Sequence, residues 1–172
     1  MQHEARTWTF GDDISTDLLY PQTAYALPLA EAAKLVFSAN RPGWSDLVEP
    51  GDIIVGGRNF GMGSSRAAVA LLRRLGIGAC LAESFSTLYL RNCVNYALPA
   101  LAAPGVLGLV EEGDRIHVDF STGAIENRSQ GTRLMAPPLP PALLTIIEQG
   151  GVIASLEARG LIPAAPTGAS AP

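Results

Sequence analysis

Ten consecutive residues, Gly57-Arg58-Asn59-Phe60-Gly61-Met62-Gly63-Ser64-Ser65-Arg66, bring together three glycines, two adjacent serines and an arginine. Glycine lets backbone N–H groups approach a ligand closely and accepts positive φ. At the start of a helix such a loop also offers unpaired N–H donors and a partial positive charge. An arginine adds a planar fork that fits a carboxylate. The chemistry these residues can perform is anion binding with a hydroxyl held beside the anion. The same residues also fit a plain strand-to-helix turn with Ser64 or Ser65 as its N-cap. They do not form a phosphate-cradling Walker loop, because no lysine follows the glycines. Nor do they form the Gly-x-Ser-x-Gly nucleophile elbow, because Ser64 is followed by Ser65-Arg66.

The elements around this loop are legible from turn chemistry and periodicity. Pro50-Gly51-Asp52 turns into the apolar run Ile53-Ile54-Val55, which predicts a buried strand leading into the loop. A helix is expected from about residue 65 to 75, with Val69, Leu72 and Leu75 facing inward, Arg73 and Arg74 near its C-terminal end, and Gly76 as its C-cap. Residues 7–10 and 79–82 read as further strands, 29–38 and 85–96 as helices. The strict alternation of Arg115-Ile116-His117-Val118-Asp119-Phe120 predicts a half-buried strand that turns at Ser121-Thr122-Gly123 toward Ala124-Ile125-Glu126. A last clear helix spans 140–149, closed by Gly150-Gly151. Strand and helix alternate to about residue 100 and hairpin-like strands follow, an order that predicts an α/β domain with a mixed sheet. One domain over 1–162 and a Pro-, Ala- and Ser-rich tail over 163–172 are expected.

Bulk properties narrow the function. The chain has 172 residues, 48% hydrophobic and 16% charged, which is enough for a sizeable core and too apolar for disorder. A net charge of −4 argues against a nucleic-acid partner. No apolar run is long enough to span a bilayer and the N-terminus carries no apolar signal region, so no membrane association and a cytoplasmic location are expected. Cys80 and Cys93 lack metal-ligand spacing and read as two buried thiols.

Four stretches together resemble one family. They are Gly11-Asp12-Asp13-Ile14-Ser15-Thr16-Asp17, Pro50-Gly51-Asp52-Ile53-Ile54-Val55, the 57–66 loop, and Glu83-Ser84-Phe85 with Arg91-Asn92. Over residues 7–125 the chain resembles the small subunit of 3-isopropylmalate dehydratase, the swivelling domain of the aconitase superfamily. The resemblance implies a three-layer β/β/α fold. It also implies a hydro-lyase that isomerises a hydroxy dicarboxylate by dehydration and rehydration, as in leucine biosynthesis, and that is active only with a large subunit. That partner would carry a [4Fe–4S] cluster, with none bound by this chain, in a heterodimer or heterotetramer. By the same resemblance Ser64 matches the catalytic base, Arg66 the ligand of a substrate carboxylate, and Ser65 a neighbour that helps position the group; the backbone from Gly63 to Arg66 can offer N–H donors to the substrate site. The alternatives are a related subunit acting on another hydroxy acid, such as homoaconitate or dimethylmalate, and a non-catalytic anion-binding domain.

The sequence departs from the family pattern where Ser-Ser-Arg is commonly followed by Glu-His; here Ala67-Ala68 follow. A glutamate at 67 would complete a capping box with Ser64, and its absence removes about 0.5–1 kcal/mol of helix-end stabilisation. Met62 stands where the family often has cysteine. The stretch Pro21-Gln22-Thr23-Ala24-Tyr25-Ala26-Leu27-Pro28 has no Arg or Lys to meet a third carboxylate. Tyr25 and Leu27 suit an uncharged substituent such as isopropyl, or else pack beneath their own loop. Asp12, Asp13 and Asp17 read as an acidic cluster that shapes its loop, Arg91 and Asn92 as loop ligands or helix residues, and His117 as a half-exposed strand residue.

Overall fold

A computed structural model describes residues 1–63 and 67–164. Strand β1 (Gln2–Thr9) is followed by α1 (Thr16–Leu19), α2 (Leu29–Ala33), β2 (Ile53–Gly56), α3 (Ala68–Leu75), β3 (Ala79–Ala82), α4 (Thr87–Asn95) and β4 (Ala100–Ala102). Then come α5 (Val106–Leu109), β5 (Arg115–Asp119), β6 (Ala124–Asn127), β7 (Thr132–Met135), α6 (Pro141–Glu148) and α7 (Val152–Ala158). The strands form one curled sheet in the order β4-β3-β2-β1-β5-β6-β7. β1 serves both halves. Its residues 7–9 run parallel to β2 (Thr7 opposite Ile53), and its residues 2–6 run antiparallel to β5 (Gln2 opposite Asp119).

Period-two alternation along the buried strands divides the core into two layers. Ile54, Cys80, Ala82 and Ala100 face a helical layer that contains Leu19 of α1, Ala33 of α2, Leu71 and Leu72 of α3, and Tyr89 of α4. Ile53, Val55, Ala79, Leu81 and Leu101 face the other way, against Ile116, Val118 and Ile125 of the antiparallel strands. The result is the expected three-layer β/β/α arrangement with a mixed sheet.

Several elements differ from the sequence reading. The helix expected over 29–38 stops at Ala33, because Phe37 adopts a left-handed φ of 59°. That conformation seats its fully buried ring in a stack on Phe10 at 4.0 Å and edge-on to Trp44 at 4.9 Å. Aromatic packing here overrides helix propensity. β1 starts five residues earlier than the expected strand, and β7 and α7 are additional, so the 140–149 helix is not the last. Residues 165–172 of the expected tail lie outside the described residues.

One buried carboxylate ties β1 to the turn before β2. Asp52 accepts hydrogen bonds from Trp8 Nε1 at 2.7 Å, from the Arg6 guanidinium at 2.7 Å and from the Glu49 N–H at 2.9 Å. Burial pushes the Asp52 carboxyl upward, but the hydrogen bonds from Arg6, Glu49 and Trp8 outweigh it and hold the group below its ordinary value. A depressed carboxylate contributes stability above its unfolded pKa and loses it as pH falls through the folded one. We therefore expect Asp52→Ala to lower unfolding free energy at pH 7 by about 2–3 kcal/mol, since it strands buried donors. In urea titrations the deficit should shrink as pH falls below the usual aspartate range.

Candidate functional site

Three loops leave the carboxyl ends of β1, β2 and β3, the end of a parallel sheet where ligands characteristically bind. The first two are stitched together by main-chain hydrogen bonds. The Gly57 N–H donates to the Gly11 carbonyl at 3.0 Å and the Asp13 N–H to the Arg58 carbonyl at 2.8 Å. The Gly61 N–H donates to the Ile14 carbonyl at 2.7 Å and the Thr16 N–H to the Met62 carbonyl at 2.7 Å. Side chains reinforce the seam. The Asp12 carboxylate accepts from the Arg58 N–H at 2.7 Å and from its guanidinium at 2.6 Å. The hydrogen bonds from the Arg58 side chain and N–H hold the Asp12 carboxyl below its ordinary value. Asn59 Nδ2 donates to Asp13 Oδ1 at 2.9 Å. The third loop joins through Ser84, whose Oγ accepts from the Asn59 N–H and whose carbonyl accepts from the Phe60 N–H, both at 3.0 Å. The acidic cluster thus shapes its loop, as expected for Asp12 and Asp13.

The glycines of this loop are required by space as well as by conformation. A Cβ on Gly57 would stand 2.2 Å from Asp12 Oδ1. Gly61 has φ +76°, and a Cβ there would lie 2.1 Å from Cγ of Tyr89, whose ring is fully buried against Phe60 and Phe85. Gly63 has φ +111°, and its Cβ would fall 2.8 Å from Thr16 Oγ1. Thr16 opens α1 with Ser15 as N-cap, and its buried Oγ1 has no hydrogen-bond partner among the described residues. The sequence reading missed Tyr89, Ser84 and Thr16 as supports of the loop. No local pattern marks a residue that touches the loop from a distant element.

Of the site residues expected from sequence, Ser64, Ser65 and Arg66 lie outside the described residues. Their flanks are defined. Gly63 sits on Thr16, and α3 begins at Ala68 rather than near residue 65. The N-cap is Ala67, which makes no side-chain cap. Ala67 itself has no side-chain oxygen to offer the first turn. The capping position therefore falls on Ala67, which corrects the reading that placed an N-cap at Ser64 or Ser65. Tyr25 and Leu27 follow a 3₁₀ turn anchored by the fully buried Ala24. They are 47% and 37% exposed, so they do not pack beneath their loop; the Tyr25 ring meets Tyr20 edge-on at 5.0 Å. Arg91 and Asn92 lie on α4, and Asp17 lies in the first turn of α1. His117 is half-buried on β5.

Comparison with known proteins identifies this architecture. Residues 32–104 match the aconitase C-terminal domain. The chain is 38% identical to the 3-isopropylmalate dehydratase small subunit 2 of Archaeoglobus fulgidus over 93% of its length and 98% of that protein. The chain belongs to the 3-isopropylmalate dehydratase small-subunit family. It is also 38% identical to the isopropylmalate/citramalate isomerase small subunit of Methanocaldococcus jannaschii, over 91% of this chain and 94% of that one. A crystal structure of a 3-isopropylmalate dehydratase from the same organism superposes with a TM-score of 0.86 at 29% identity, covering 94% of this chain and 96% of that one.

The [4Fe–4S] cluster that the resemblance implies raises the question of which residues here could ligate iron. Cys80 on β3 and Cys93 on α4 are fully buried, and burial pushes both thiols well up from their ordinary value, away from the thiolate that a metal requires. Among the described residues no three His, Cys, Asp or Glu side chains gather as a metal site. The described residues therefore do not fit a cluster. No helix among them is long and apolar enough to cross a membrane. The steric test of the loop is Gly61→Ala. We expect it to cost about 2–4 kcal/mol in thermal or urea unfolding, combining left-handed strain with overlap on a fixed ring.

Proposed function

We propose that this chain is the small subunit of a two-subunit hydro-lyase that interconverts 2-isopropylmalate and 3-isopropylmalate by dehydration and rehydration. The observation that carries the reading is its near end-to-end similarity to small subunits named for that reaction. The glycine loop supports it, because in this structure that loop is fixed on both sides of the three residues assigned to chemistry. In this reading the substrate sits outside the carboxyl ends of β1 to β3. Arg66 grips a substrate carboxylate as a bidentate partner. Ser64 takes the proton α to a carboxylate and returns it on rehydration. A free serine hydroxyl is a weak base, so it needs donors that favour its ionised form. The first turn of α3 and the Arg66 guanidinium are the sources this reading assigns. Ser65 and Gly63 position the group. A [4Fe–4S] cluster held by the large subunit would supply Lewis-acid chemistry toward the substrate hydroxyl.

The same reading assigns the face bearing Met62 to the large subunit. Met62, in the loop, and Leu88, on α4 after the Phe60–Phe85 bridge, are 42% and 37% exposed. Tyr25 and Leu27, exposed and uncharged, set the tolerated substituent as apolar. Isopropyl and the methyl of citramalate both satisfy that requirement, and a third carboxylate does not.

Reconstitution with the cluster-loaded large subunit tests these roles. Ser64→Ala should lower kcat by about 10²–10⁴-fold, the usual worth of a positioned proton-transfer group; full activity would make this a non-catalytic anion-binding domain. Homoaconitate should be turned over about 10²-fold less efficiently than isopropylmalate, judged by kcat/KM. Comparable efficiencies would instead favour a subunit for another hydroxy acid.

A further inference from the structure

We infer that Asp13 and Asn59 form a side-chain latch that holds the two loops in register up to Gly63, immediately before the residues assigned to chemistry, which makes them positioning residues for the reaction. The inference rests on the function proposed above. Both residues adopt left-handed backbone conformations, with φ of 58° and 57°. Outside glycine this conformation is uncommon, and Asn and Asp tolerate it best. Two such residues on different loops face each other, joined by Asn59 Nδ2 donating to Asp13 Oδ1 at 2.9 Å. A carboxylate only accepts, so the amide orientation of Asn59 follows from its partner.

The pair lies inside the seam. The Asp13 N–H bond to the Arg58 carbonyl lies on one side of it, and the Gly61 N–H bond to the Ile14 carbonyl lies on the other. Asn59 is tied a third way, since its own N–H donates to Ser84 Oγ on the loop after β3. One residue thus joins all three loops at the carboxyl ends of the parallel strands. Both side chains are exposed, and an exposed hydrogen bond adds little to global stability. Its consequence is therefore local, in where the chain reaches Gly63.

A donor–acceptor swap tests the latch. Asp13→Asn keeps an acceptor oxygen toward Asn59. Asn59→Asp sets two carboxylates against each other. The double variant D13N/N59D restores one donor and one acceptor in reversed order, and every substitution keeps a residue type that accepts positive φ. In the full chain we expect N59D to raise amide hydrogen exchange at Gly61 and Thr16 by roughly five- to tenfold while β2 and β3 amides stay protected. In the reconstituted complex N59D should lower kcat by about tenfold with little change in KM, and thermal midpoints should move little. D13N and D13N/N59D should lie within about twofold of wild type in both readouts. Unchanged exchange in N59D would overturn the latch. Faster exchange with unchanged kcat would overturn its positioning role. Failure of the double variant to recover would show that the pair is not the cause. Should the wild-type complex turn over no hydroxy dicarboxylate, the proposed function and the positioning role both fail, and the exchange data alone still decide whether the latch exists.

Discussion

The site depends on main-chain hydrogen bonding between two loops that have no regular structure of their own. Residues 11–16 and 57–62 exchange N–H and carbonyl partners from Gly11 to Met62, with donors contributed alternately by each loop. Each such bond has a modest net worth, about 0.5–1.5 kcal/mol. Their joint effect is to turn the polar end of a parallel sheet into a platform of fixed shape. The glycines follow from that pairing. Gly57 must clear Asp12, Gly61 must clear Tyr89, and Gly63 must clear Thr16. A loop built for mere connection would not meet three separate walls.

The rest of the fold serves to keep those strand ends adjacent. β1 is the hinge between the two halves of the sheet, pairing with β2 through its last residues and with β5 through its first. Asp52 fixes β1 to β2 at the opposite end from the loops, through Trp8 and Arg6. The Arg41 guanidinium lies over the Trp8 and Phe10 rings and pairs with Glu112, which draws the segment after α2 onto the same strand. Tyr89 extends this support from the helical layer to the loop itself, since α4 packs its ring directly beneath Gly61. The layered core and the site are therefore coupled through a few aromatic contacts.

Much of this was legible in the sequence, for identifiable reasons. Ile53-Ile54-Val55, Ala79 to Ala82 and the alternating residues 115–119 are strands because their patterns match the pleat and both faces of the parallel segment are buried. Gly76 ends α3 in a left-handed conformation, as its position implied. By composition the glycine-serine loop reads either as an anion site or as a plain strand-to-helix turn, and Ser64, Ser65 and Arg66 lie outside the described residues. What stayed hidden depends on distant partners. Phe37 breaks its helix only because Phe10 and Trp44 are there to receive its ring. The polar residues 2–6 become a strand because β5 pairs with them. Thr132–Met135 is short and mostly exposed, and Leu134 is its only member packed against the core. α3 starts at Ala68 with Ala67 as its N-cap, a position that no capping pattern in the sequence marks. The roles of Tyr89, Ser84 and Asn59 came from contacts that no spacing rule encodes.

This chain completes an isomerase whose other half lies on a second subunit. The most direct test is a titration. Increasing amounts of the purified chain are added to a fixed amount of purified large subunit, with 2-isopropylmalate interconversion followed by NMR. The account predicts no turnover by either protein alone and a rate that climbs with added chain to a stoichiometric plateau. A rate that stays flat at saturating chain, with the large subunit intact, would contradict it.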